Sequence, residues 1–201
     1  MRPGGLTETP VVCAPDHDIT LRSSDNVLFQ VHVVNLQMHS DGFAAGAGCS
    51  GTDRGPSPPE TVPLTETAAT LDLLLQYMYL QPQPDLSTVS FEELAGLAEA
   101  AEKYQVYAAI PICKVHMEYA MREHPFNVIA YAARHSYIDM ANKAALLTFG
   151  APLLDAVDNL PPQYMRAWVR VAAFCSLSRL TRQFTRLCIS TLSRFRSHKG
   201  H

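Results

Sequence analysis

The sequence predicts an α+β fold: three short strands with short helices, followed by a helical annex. Three observations predict it. Two short stretches, Asp18-Ile-Thr-Leu-Arg22 and Val27–Val31, alternate or read as strands around a turn cluster, and Val62-Pro-Leu64 reads as a third strand. From Ala68 onward apolar residues recur at three- and four-residue spacing. Strands with short helices, followed by many helices, is the order of an α+β chain with a helical annex.

Residues 1–15 are rich in Pro, Gly and Thr and read as a flexible leader. Ser23-Ser-Asp-Asn26 supplies turn residues between the first two strands, so the pair is expected to form a hairpin. A short helix is expected over His32–Met38, with a second around Phe43. Residues 44–61 are dense in Gly, Ser and Pro and read as a mobile loop. Pro63 cannot donate to a ladder, so its strand belongs at an edge, or its nitrogen faces solvent. Ala68–Tyr79 carries Leu71, Leu74, Leu75 and Met78 on one face and is stopped by Gln81-Pro-Gln-Pro84. Ser90 with Glu93 forms a capping box for a helix that buries Leu94, Leu97, Ala98 and Ala101. Further helices are expected over Tyr107–Met121, Pro125–His135 and Ile138–Phe149, and from Pro161-Pro162 through Trp168. The organisation expected is a leader (1–15), a domain (16–121), a helical extension (122–170) and a basic tail (171–201).

Composition narrows the class. With 47% apolar and 17% charged residues among 201, a sizeable core is available and the composition argues against wholesale disorder. The five cysteines are odd in number, widely spaced and never in a Cys-x-x-Cys pair, which argues against a disulfide framework and for a reducing, intracellular compartment. The first fifteen residues hold no apolar signal core, and no apolar run approaches the ~20 residues that span a bilayer. The net charge of −3 is uneven: residues 1–158 hold 8 Lys/Arg against 19 Asp/Glu, and residues 159–201 hold 8 Lys/Arg and no acid.

The spacing Phe29-x-x-His32-x-x-x-Leu36-x-x-x-Ser40-x-x-Phe43, together with Asp18 ahead of the first strand, resembles the central signature of BTB/POZ domains. Leu74-Leu75-x-Tyr77-Met78-Tyr79 resembles a helix end of that family. Leu97-Ala-Glu-Ala-Ala100-Glu-Lys103-Tyr104 is similar to its next helix, and Cys113 to a cysteine in the one after. Four segments in order over residues 16–121 carry the resemblance. Residues 125–160 look like the helical extension of fungal BTB proteins. The resemblance implies a small three-stranded sheet flanked by helices and followed by a helical extension, and a non-enzymatic protein–protein interaction module in the cytoplasm or nucleus, without cofactor. Family members serve as dimerisation modules, as substrate adaptors for cullin-type ubiquitin ligases, or as transcriptional regulators.

Three departures bear on those roles. The fifteen residues before Asp16 are too few for the N-terminal helix and swapped strand of strongly dimeric members. Val33 follows His32 where transcription-factor members carry an arginine, so the charged pocket with Asp18 is not expected. The segment after Phe43 runs Ala-Ala-Gly-Ala-Gly, without the apolar-x-Glu motif of cullin-binding adaptors.

Other chemistries compete for the same residues. Gly46-Ala-Gly48-Cys-Ser-Gly51 fits Gly-x-Gly-x-x-Gly literally, but no strand precedes it, and Pro56, Pro58 and Pro59 stand where the phosphate-binding helix would start, so a loop is the better reading. His32 lacks a nucleophile elbow and is read as a helix-start histidine satisfied by backbone. Cys113-x-x-His116 lacks the second pair of a structural zinc site, so Cys113 is read as a small core residue. Glu92, Glu93, Glu99 and Glu102 are assigned to the polar side of their helix. Tyr164 and Trp168 either anchor a partner or pack the last helix onto the body.

In the tail, Leu177, Leu180, Phe184, Leu187, Thr191 and Phe195 recur at helical spacing, with Arg179, Arg182, Arg186 and Arg194 off that line. Three readings stay open: translated non-coding or disordered sequence from about Val171, a packed helix, or an arm for nucleic acid or membrane. The nucleic-acid arm gives the alternative function, a transcription-associated regulator. For the favoured interaction module, the docking surfaces expected are the Asp18–Phe43 hairpin-helix face and the Tyr77–Tyr79 helix end.

Overall fold

The computed structural model describes residues 16–46, 60–148, 151–166, 168–170 and 173. The leader 1–15, residues 47–59 of the expected loop, and the tail beyond Ala173 lie outside the described residues, and so does most of the Gly-x-Gly-x-x-Gly stretch. The chain divides into two compact units, Met1–Tyr119 and Ala120–His201.

In the first unit β1 (Ile19–Arg22) is central, with the sheet order β2-β1-β3. β2 (Leu28–Val31) pairs antiparallel with Leu21 opposite Phe29. Those two side chains and Val31 are buried, which fixes the register, because a one-residue slip would turn them outward. The hairpin turns at Asn26, whose φ of 65° is a left-handed conformation that asparagine tolerates. Ser23 closes the turn, its hydroxyl accepting the Val27 N–H at 2.9 Å.

β3 (Glu60–Pro63) runs parallel to β1 at the sheet edge. Leu64 donates its N–H to the Arg22 carbonyl, so the neighbouring Pro63 nitrogen points to the open side, where no donor is required. The strand begins two residues before the expected Val62 and stops at Pro63. The expected loop over 44–61 is correspondingly shorter at both ends. Its first three residues complete a helix, which two alanines favour, and its last two belong to β3.

The helices α1 (Val33–His39), α2 (Asp41–Gly46), α3 (Ala68–Gln76), α4 (Phe91–Tyr104) and α5 (Ile110–Ala120) cover the sheet unit. The α3 face places Leu71, Leu74, Leu75 and Met78 in the core. This helix ends at Gln76 rather than Tyr79: Tyr77 and Met78 donate their N–H groups three residues back, to Leu74 and Leu75, which tightens the last turn. Both halves of the Ser90–Glu93 capping box are formed, and α4 buries Leu94, Leu97, Ala98, Ala100, Ala101 and Tyr104. Gly96 lets α3 approach closely, since a Cβ there would lie 2.7 Å from Thr70 Oγ1.

The second unit contains α6 (Pro125–Arg134), α7 (Ile138–Leu147) and α8 (Leu153–Asn159), followed by helical residues 162–166 and 168–170. α6 buries Phe126, Val128, Ile129, Ala130, Tyr131 and Ala132. α7 stops at Leu147, two residues short of the expected end, with Thr148 as its C-cap. α8 has no counterpart among the sequence expectations. Trp168 is 8% exposed, stacks edge-on against Phe126 at 5.5 Å, and donates its indole N–H to Thr148 Oγ1 at 2.8 Å. Of the two readings of Trp168, packing onto its own unit is the one realised.

Candidate interaction site

Two polar clusters position α1 and α2, and the sequence-predicted signature residues fall into them or behind them. The first holds the start of α1. Asp18, just before β1, accepts the Val33 N–H through Oδ1 at 2.7 Å. His32 occupies the N-cap position and makes no capping bond with its side chain, so the aspartate of another element satisfies this helix N-terminus and its dipole. The Tyr79 hydroxyl accepts the His32 backbone N–H at 3.0 Å and lies 3.2 Å from His32 Nδ1. Donating the phenolic proton to Nδ1 lets one hydroxyl serve both groups. The imidazole is therefore met by a tyrosine side chain, and not by the backbone that the sequence reading assigned to it. Two residues of the expected docking surfaces, Asp18 and Tyr79, are thereby occupied in holding α1.

The second cluster fixes the α1–α2 corner against the end of α4. Ser40 accepts the Phe43 N–H at 3.1 Å, as a serine N-cap does for α2, and donates its hydroxyl proton to the Tyr104 carbonyl. The Phe43 and Tyr104 rings stack at 4.2 Å with 6° between their planes. Gly42 lies so close that an added Cβ would sit 2.6 Å from Tyr104 Cα. Tyr107, just past α4, donates to Asp41 Oδ2 at 2.7 Å.

Behind this corner Glu66 accepts three bonds. Tyr104 OH reaches its Oε2 at 2.7 Å, Lys103 Nζ its Oε1 at 2.7 Å, and Thr65 Oγ1 also reaches Oε1 at 3.1 Å. Lys103 also lies 4.7 Å from the Tyr104 ring centroid and donates to Thr65. Burial acts to raise the Glu66 pKa, but the bonds from Lys103 and Tyr104 outweigh it, and the carboxyl sits below its usual 4.5. The Tyr104 phenol is pushed up by burial and by the adjacent Glu66 carboxylate. Because the folded Glu66 pKa is depressed, its contribution to stability is present above the unfolded value and is lost as pH falls through the folded one. Glu66→Gln is expected to flatten the stability profile between about pH 5 and pH 3, read as denaturation midpoints at each pH. An unchanged acid slope would refute this assignment.

The remaining signature residues are packed inside. Phe29, Leu36, Tyr77 and Ala100 are buried. The Tyr77 hydroxyl has no hydrogen-bond partner among the described residues, and burial, with Cys113 adding to it, pushes its pKa up to about 12. Tyr77→Phe is therefore expected to leave stability unchanged or raise it by up to about 1 kcal/mol; a loss larger than that, in urea titration, would mean the hydroxyl is satisfied. Cys113 is fully buried, and its thiol is raised to about 12 by burial and by Glu102. Among the described residues no group of three or more His, Cys, Asp or Glu is placed to hold a metal ion. Glu93 is engaged as the reciprocal half of the α4 cap.

Asp41, Gly42, Glu66 and Tyr107 are absent from the sequence-predicted set. Their distant partners lie 37 to 66 residues away, and no local pattern announces such pairs. What these clusters leave uncovered is the outer side of α1. Val34 is 55% and Met38 74% exposed, one helical turn apart, while Leu36 between them is 3% exposed.

The BTB/POZ domain model matches residues 14–120. No curated protein matches the chain. Among the described residues no helix is long and apolar enough to cross a membrane.

Proposed function

The chain belongs to the BTB/POZ domain family, a family of protein–protein interaction modules, and we propose that it docks its protein partner on the outer side of α1. The observation that carries this reading is the pair Val34 and Met38, apolar and exposed on a helix that is pinned at both ends. A rigid helix loses little freedom when a partner covers it, so its apolar side chains contribute more of their burial to affinity. Asp18, Tyr79, Ser40 and Tyr104 supply that rigidity.

The partner is a second copy of this chain or a cullin-type scaffold. The first makes the unit a homo-association domain, and the second makes it a ubiquitin-ligase adaptor. A transcription-associated role through the basic tail rests on residues outside those described. The test is affinity capture from lysate with the full chain and with Val34→Asp/Met38→Asp, read by mass spectrometry. The wild-type chain is expected to retrieve its own sequence or a cullin, and the double variant to lose that species by tenfold or more on the order expected for a disrupted apolar anchor. Equal recovery by both chains, with the variant folded by circular dichroism, would overturn the proposal.

A further inference from the structure

In the second unit α8 is amphipathic, and its described surroundings cover only part of its apolar side. Ala156 and, just past the helix, Leu160 are buried. Leu153, Leu154 and Val157 share the adjoining strip and are 59%, 71% and 54% exposed. Asp155 and Asp158 stand on the remaining side, both exposed. Three exposed aliphatic side chains within five residues, beside two carboxylates, call for an apolar and basic partner.

The same chain supplies a segment of that chemistry. Leu177, Leu180, Phe184 and Leu187 recur at three- and four-residue spacing, with Arg179, Arg182 and Arg186 between them, and residues 174–201 hold no Asp or Glu. The segment also follows α8 closely along the chain. From Asn159 the chain passes through Leu160 and Pro161 into the helical residues 162–166 and 168–170. Residues 174–176 separate the helical Ala173 from Leu177, so the segment is tethered within the unit that holds α8.

We propose that residues 177–187 cover the Leu153/Leu154/Val157 strip of α8, their arginines meeting Asp155 and Asp158. Covering the strip removes three aliphatic side chains from water, and the effective concentration of a tethered segment favours it over a separate partner.

The test is hydrogen–deuterium exchange on the full chain, on a chain truncated after Ala173, and on full-length Val157→Asp. In the full chain, amides of 177–187 are expected to exchange more slowly than unstructured peptide by on the order of tenfold or more. Truncation is expected to speed exchange over 153–159, and Val157→Asp to release 177–187 without removing any tail residue. Unprotected 177–187 amides in the full chain would overturn the proposal. So would protection that survives Val157→Asp, protection that grows with protein concentration, which would mean a second copy, or protection that needs vesicles of anionic lipid.

Discussion

Replacing Trp168 by alanine is expected to destabilise the second unit by about 3–5 kcal/mol. The side chain is 8% exposed, packs edge-on against Phe126, and directs its indole N–H to the buried Thr148 hydroxyl. Truncation therefore removes a large apolar body and also one partner of Thr148, which keeps only its own bond to the Ala145 carbonyl. The chain contains a single tryptophan, so its fluorescence reports on this unit alone. Urea unfolding of the wild type followed by fluorescence gives the midpoint of the second unit, and circular dichroism gives that of the variant. Thr148→Val, which keeps the shape and deletes the acceptor, is expected to cost about 1–2 kcal/mol and leave the fluorescence probe in place. A Trp168→Ala chain that unfolds at the wild-type midpoint would show that residues 162–170 contribute nothing to the unit.

Gly42→Ala is expected to destabilise the first unit by about 2–3 kcal/mol. In an ordinary helix the same change would stabilise by up to about 1 kcal/mol, so the sign of the effect decides the matter. The new methyl would meet the Tyr104 backbone at 2.6–2.9 Å, and a backbone cannot rotate away as a side-chain tip can. Relief requires α2 to lift, which strains the Ser40 bonds and unstacks Phe43 from Tyr104. The measurement is chemical denaturation of the first unit by circular dichroism. A stabilised Gly42→Ala chain would contradict the close approach of α2 to α4.

What could be read from the sequence was local. The 3-4 spacing of Leu71, Leu74, Leu75 and Met78 located the buried face of α3, because helical periodicity is a property of neighbouring residues. The Ser90–Glu93 pair marked the start of α4 for the same reason. Pro63 indicated an edge from its missing donor alone. The fold class followed from the order of these elements.

The site was legible only in part. Phe29, Leu36 and Ala100 were legible through the resemblance to the BTB/POZ signature. The reasons for Asp18, Tyr79 and Ser40 were not: each acts on a group 15 to 64 residues away, and only the folded chain brings them together. Glu66 was missed because a lone acid between a strand and a helix looks like any solvated turn residue until Lys103 and Tyr104 arrive. α8 was missed because seven residues are too few for periodicity to stand out.

The central claim, that the outer side of α1 receives a protein, is tested most directly by placing a photoactivatable benzophenone amino acid at Met38 in the full chain. Met38 is 74% exposed, so the substitution leaves the buried side of α1 untouched. Illumination in native extract is expected to give one or a few discrete adducts, and the same label at Glu92, exposed on α4, is expected to give none of them. Adducts that appear equally from both positions, or from neither, would contradict the claim.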